Sequence, residues 1–168
     1  MNNIYIIRHG VAAELDNEIV EEGYRYLTIH GRNHCKIVAL RLKDMKTHFD
    51  IILSSPIVRA VQTAEVFASA LKYEGEIKTA IELIGGSTSS RFLQMLKRYS
   101  HYKNIALFGH APDVNHFSTI LINDGQSKNI NINFKNSSVC KIEYNIEHEK
   151  GKLAWFLNSE NMKLIEPS

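Results

Sequence analysis

The chain has 168 residues, of which 44% are hydrophobic and 23% charged, and its 20 Lys and Arg against 18 Asp and Glu leave a net charge of +2. That composition excludes a disordered or fibrous chain, and so small a net charge excludes a protein that works mainly by neutralising a nucleic-acid backbone. The length suits one hydrophobic core, so residues 1–168 are read as a single domain.

The chain opens on an apolar run, Ile4 to Ile7, which is far shorter than a signal-peptide core. No stretch approaches the roughly 18 apolar residues of a membrane span. Cys35 and Cys140 form neither a CxxC pair nor a zinc-knuckle spacing. The expectation is a reduced, cytoplasmic protein with no membrane and no nucleic-acid partner.

In chain order, short apolar runs alternate with helical patterns, which favours α/β layering. Ile4 to Ile7 is the first strand. Cys35, Val38, Leu42 and Met45 follow at helical spacing. The run DIIL at Asp50–Leu53 is the second strand, and Ile57, Ala60, Val61, Ala64, Phe67, Ala68 and Leu71 give the helix after it one apolar face. Ile77 to Leu83 reads as a weaker strand, GGSTSS as a flexible joint, and Arg91 to Tyr99 as a helix. The run NIALF at Asn104–Phe108 is the third continuous strand, followed by a helix that Pro112 starts. From Val139 the residues alternate, and with KLAWFL beyond Gly151 they predict a late hairpin near a sheet edge.

Each of the three apolar strands ends in a turn rich in functional groups. The first runs into Arg8-His9-Gly10, the second into Ser54-Ser55-Pro56 with Arg59 one helical turn on, and the third into Gly109-His110-Ala111-Pro112. Parallel strands would bring these turns to one carboxyl edge, where open α/β sheets bind ligands. Arginine offers a fixed fork of donors to phosphate oxygens, helix starts offer free N–H groups, and neutral imidazole can attack phosphorus. The constellation points to phosphoryl chemistry.

Four segments carry a resemblance: IYIIRHGVA (4–12), RYLTIHGR (25–32), SSPIVRAVQTAE (54–65) and FGHAPDV (108–114). With RHG, SPxxRAxQTA and GHxP in this order, the chain resembles the histidine phosphatase superfamily, and within it the small SixA-type phosphohistidine phosphatases. The resemblance implies a three-layer αβα sandwich with a mostly parallel central sheet, as in phosphoglycerate mutase-like proteins, and neither metal ion nor organic cofactor. It implies that His9 is the nucleophile, that Arg8 and Arg59 hold the phosphoryl oxygens, and that His110 completes the pocket. Arg25 corresponds to the arginine of the family's RPLT segment, although Tyr26 stands here in place of proline.

Larger relatives protonate an alkoxide leaving group with a carboxylic acid beyond the third strand. The corresponding stretch here is AIELIGGSTSS, in which Glu82 is the one carboxylate; it reads either as that acid or as a surface residue. Imidazole leaves more easily than an alkoxide, so weak proton donation tilts the substrate toward phosphohistidine on a protein partner. The alternatives are a small-molecule phosphomonoesterase with the same nucleophile and a non-catalytic phosphate-binding module. Elsewhere, Ser54 and Ser55 read as caps of the following helix. His30 and His34 have the i, i+4 spacing of metal ligands but no convincing third ligand, and Lys97, Arg98, His101 and Lys103 read as a solvated helix end.

Overall fold

Each of the short apolar runs is a strand with helices on both of its faces. The computed structural model describes residues 1–19, 21–123 and 132–167. Its strands are β1 (Asn2–Arg8), β2 (Ile51–Ser54), β3 (Ile77–Thr79), β4 (Asn104–Gly109), β5 (Val139–Asn145), β6 (Lys150–Leu157) and β7 (Leu164–Ile165). The helices are α1 (Ile29–Asp44), α2 (Val58–Leu71), α3 (Ser89–Arg98) and α4 (Asp113–Leu121), with short 3-10 turns at Glu22–Tyr24 and Ile81–Leu83.

All seven strands form one sheet in the order β3-β2-β4-β1-β5-β6-β7. The pairs β3–β2, β2–β4 and β4–β1 are parallel, whereas β1–β5, β5–β6 and β6–β7 are antiparallel. Five of the seven strands therefore run the same way. Strand pleating sends Ile4 and Ile6 into a core with α3 and α4, and Tyr5 and Ile7 into a second core with α1 and α2. In β4, Ile105 and Leu107 face the first core and Ala106 and Phe108 the second. Burial on both faces explains why these strands read as continuous apolar runs rather than alternating ones.

The helix starts follow local chemistry. The Thr28 hydroxyl caps α1 by accepting the Gly31 N–H at 2.9 Å, and Thr88 caps α3 through Arg91 N–H at 3.3 Å. Glycine at 31 lets the backbone of Val11 lie against the first turn of α1, where a Cβ would collide with the Val11 carbonyl. This contact presses the segment after β1 onto the helix.

Two expectations change, and one holds. The late hairpin lies near the sheet edge as expected, with β5 paired to β1, β6 to β5, and only the two-residue β7 beyond β6. The predicted strand Ile77–Leu83 breaks after Thr79, because Ile81–Leu83 turns into a 3-10 helix that buries Leu83. The helix after the second strand starts at Val58 with no side-chain cap. Ser55 has another partner.

Candidate active site

The parallel register brings the three turns together. Arg8 pairs with Gly109 across β1 and β4, and Ser54 with Phe108 across β2 and β4. His9 N–H donates to Gly109 O at 3.0 Å and Ser55 N–H to Phe108 O at 2.9 Å, so the chain stays in register just past the strand ends. The His9 and His110 rings lie with centroids 5.1 Å apart. Arg59, on the first turn of α2, is only 7% exposed, and its Nε–H points at His9 Nε2 at 3.3 Å.

His9 Nδ1 lies 2.7 Å from Gly10 O. A carbonyl only accepts, so Nδ1 carries the hydrogen and Nε2 presents a lone pair. Burial pulls the His9 pKa down to about 3; the Gly10 carbonyl opposes this, while His110, Arg59 and Arg8 reinforce it. The ring is neutral and its free nitrogen faces a guanidinium.

Around His9 the backbone is clamped from three sides. Asn136 Nδ2 donates to His9 O at 3.0 Å, Ser137 N–H donates to Arg8 O at 3.1 Å, and Gly10 N–H donates to Thr63 Oγ1 at 3.0 Å. Thr63 in turn donates to Arg59 O, and Gln62 Oε1 accepts Leu27 N–H at 2.8 Å. The spacing of SSPIVRAVQTAE thus acquires a physical meaning, since Ser55, Arg59, Gln62 and Thr63 each hold a different part of the site.

His110 is 6% exposed, and its Nε2 lies 2.8 Å from Ser55 Oγ. Ser55 Oγ accepts the Ile57 N–H at 3.3 Å, and among the described residues its own hydroxyl hydrogen has no acceptor besides His110 Nε2, so the hydroxyl donates to Nε2 and the ring hydrogen sits on Nδ1. Among the described residues neither Nδ1 nor Arg8 Nε has a hydrogen-bond partner, and both atoms are buried. Buried donors without acceptors are costly, and both belong to groups on this edge. Burial lowers the His110 pKa to about 4, aided by Arg59 and opposed by Asp113 and Glu22.

Both histidines are therefore neutral when folded, and both take up protons near 6.5 when unfolded. Stability is full above that pH and is lost as pH falls from 6.5 toward about 4 for His110 and toward about 3 for His9, each histidine contributing at most about 1.4 kcal/mol per pH unit. Carboxylates are still ionised between pH 6.5 and 5, so chemical denaturation across that interval isolates the effect. The expected result is a decline in the wild type that is flattened in His9→Ala/His110→Ala; equal slopes would show that neither histidine is held neutral.

The remaining candidates are placed less directly. Arg25 donates through Nε to Ala13 O and pairs through Nη1 with Glu22 Oε1 at 2.9 Å. Glu22 also pairs with Arg59 Nη2 at 3.0 Å, and its backbone carbonyl accepts Arg59 Nη1 at 2.8 Å. Arg25 thus meets Arg59 through Glu22, a residue that carries no motif signal. Glu82 turns toward the far end of α3, where its carboxylate binds Arg98 Nη2 at 2.7 Å. Burial would raise its pKa, but the Arg98 hydrogen bond prevails and holds it below the usual carboxylate range. Ser54 and Ser55, expected as caps, are buried, and Ser55 instead orients His110.

His30 and His34 stack with ring planes 2° apart, and His34 Nε2 lies 2.9 Å from Ser159 O. Among the described residues no group of three or more His, Cys, Asp or Glu is placed to hold a metal ion. Lys97 and Arg98 pair with Glu149 and Glu82. No helix among the described residues is long and apolar enough to cross a membrane.

A nitrogen lone pair on His9 beside guanidiniums, with the His110 ring close by, gathers a nucleophile and anion-binding groups at the carboxyl edge of an αβα sandwich. The sequence profile of the histidine phosphatase superfamily (branch 1) matches residues 4–84, and the chain belongs to that superfamily. It is a hydrolase of the phosphatase class. An uncharacterized protein of Picosynechococcus sp. is 36% identical over 117 residues, covering 66% of this chain and 67% of that protein.

The fold is similar to that of the protein histidine phosphatase SixA complexed with tungstate, with a TM-score of 0.84 and 24% identity over 96% of this chain and 99% of that one. It is also similar to a mycobacterial glucosyl-3-phosphoglycerate phosphatase, at a TM-score of 0.66 and 13% identity over 91% of this chain and 97% of that one.

Proposed function

We propose that the protein is a phosphohistidine phosphatase that dephosphorylates a histidine-containing protein partner through a phospho-His9 intermediate. The observation that carries this reading is the pairing of a poised His9 Nε2 with the commitment of Glu82 to Arg98. A site that holds its nucleophile ready but spends the expected acid on an ion pair suits a leaving group that needs little proton donation, and imidazole is such a group.

In the first step the Nε2 lone pair attacks phosphorus, the bond from phosphorus to the substrate imidazole breaks, and the departing nitrogen keeps its electron pair and is protonated from solvent. Arg8, Arg59 and His110 Nδ1–H bind the phosphoryl oxygens as charge spreads over them. In the second step water attacks phospho-His9, inorganic phosphate leaves, and Nε2 regains its lone pair. Both cysteines are free and buried, in keeping with a reducing compartment such as the cytoplasm.

A small-molecule phosphomonoesterase is the second reading, favoured by the likeness in fold to the mycobacterial sugar-phosphate enzyme. Turnover of a phosphorylated histidine carrier, a simple phosphate ester and acetyl phosphate separates the readings. The expected result is a kcat/KM for the carrier at least ~100-fold above the ester, about 2.7 kcal/mol of differential barrier. Comparable rates on the ester would favour the second reading, and no turnover on any of the three would leave a binding module.

A further inference from the structure

In the absence of substrate, Arg59 has no idle direction. Its Nε–H meets His9 Nε2, its Nη1 meets the Glu22 carbonyl, and its Nη2 meets Glu22 Oε1. The same Oε1 accepts from Arg25 Nη1 at 2.9 Å, and Oε2 lies 3.2 Å from that nitrogen. One carboxylate therefore bridges two guanidiniums beside the nucleophile. By contrast, Arg8 donates through Nη1 to Phe134 O at 2.7 Å, while its Nε and His110 Nδ1 are buried without a partner among the described residues.

We propose that the Glu22 carboxylate is a resident anion that occupies the arginine side of the phosphoryl pocket and must be displaced when a phosphoryl group binds, which makes Glu22 a specificity-determining residue. This rests on the phosphoryl-pocket reading above and adds how the pocket chooses its anion. The Glu22 side chain is 55% exposed and Arg59's is 9% exposed, so the carboxylate can swing into solvent while the guanidinium stays.

A weakly binding, singly charged anion gains only what Glu22 already supplies. A phosphoryl dianion takes over Arg59 and also satisfies Arg8 Nε and His110 Nδ1, which Glu22 leaves unfilled. The unfilled donors and the resident carboxylate together favour a tetrahedral dianion over chloride or acetate. The Glu22 backbone carbonyl keeps its bond to Arg59 throughout, so the guanidinium is not released with the carboxylate.

Glu22→Gln tests this, because it removes the competing charge while preserving size and the backbone carbonyl. Calorimetric titration with inorganic phosphate should show binding about 3- to 10-fold tighter than in the wild type, equivalent to about 0.7–1.4 kcal/mol, and acetate should become a measurable competitor. If Glu22 instead positions the arginines for phosphate, the variant binds phosphate more weakly. Weaker binding, or binding within twofold of wild type, overturns the proposal.

A crystal of the wild type soaked with tungstate provides a test that does not depend on the variant. The proposal requires the Glu22 carboxylate to have left Arg59 Nη2, and a carboxylate still bonded there beside the oxyanion overturns it. A wild type that binds phosphate but does not hydrolyse phosphohistidine would remove the functional reading above while leaving this inference standing.

Discussion

His9→Ala is expected to abolish turnover, by at least about 10⁴-fold, the scale on which loss of a nucleophile acts, in a protein that still folds and still binds phosphate. Folding survives because the contacts that clamp the Arg8-His9-Gly10 turn are made to its backbone. Asn136 binds His9 O, Ser137 binds Arg8 O and Thr63 binds Gly10 N–H, none of which needs the imidazole. Arg59 keeps two of its three partners, both on Glu22. Phosphate affinity within a few-fold of wild type, together with lost turnover, would identify His9 as the reacting group rather than a wall of the pocket. Turnover near the wild-type rate would exclude a covalent mechanism. Acid quenching supplies the converse test, since wild-type protein caught during turnover should carry acid-labile, base-stable phosphate.

Arg59→Lys is expected to cost about 10- to 150-fold in rate, corresponding to the about 1.5–3 kcal/mol of a charge-assisted hydrogen bond lost in the transition state. The charge is retained, so the effect reads geometry. Arg59 reaches His9 and both the backbone and the carboxylate of Glu22 through three different nitrogens. A single ammonium on a flexible stem cannot reproduce that fork. Stability should change little. The Glu22 carboxylate is more than half exposed, so its ion pair contributes little, and the lost bond to the Glu22 carbonyl is about 1 kcal/mol, or about 2–4 °C in Tm for a chain of this size. Phosphohistidine hydrolysis within about twofold of wild type would show that Arg59 is structural and that Arg8 is the anchor.

Much of the site was legible before any fold was known, because its chemistry is local to strand ends. A polar group placed directly after a buried apolar run emerges at the rim of the sheet, and Arg8-His9, Ser55 and His110 all do so. Two-sided burial of β1, β2 and β4 was likewise readable, since a strand that is apolar at every position has no polar face to show to water. The parallel register that turns three separate rims into one edge follows from the helices lying between those strands in sequence.

The sequence pattern could not say which side chains answer one another across that edge. Glu22 lies in a loop without periodicity, and only the fold carries its carboxylate to Arg59 and Arg25. Glu82 stands at the end of the predicted strand Ile77–Leu83 and is expected at the same rim, yet the 3-10 turn at Ile81–Leu83 places it against Arg98. Ser55 reads as a helix cap until the register of β2 and β4 sets it against His110. Periodicity and strand-end chemistry act over a few residues and are written in the chain order. Which carboxylate neutralises which guanidinium depends on contacts up to dozens of residues apart, and those are decided only when the layers close.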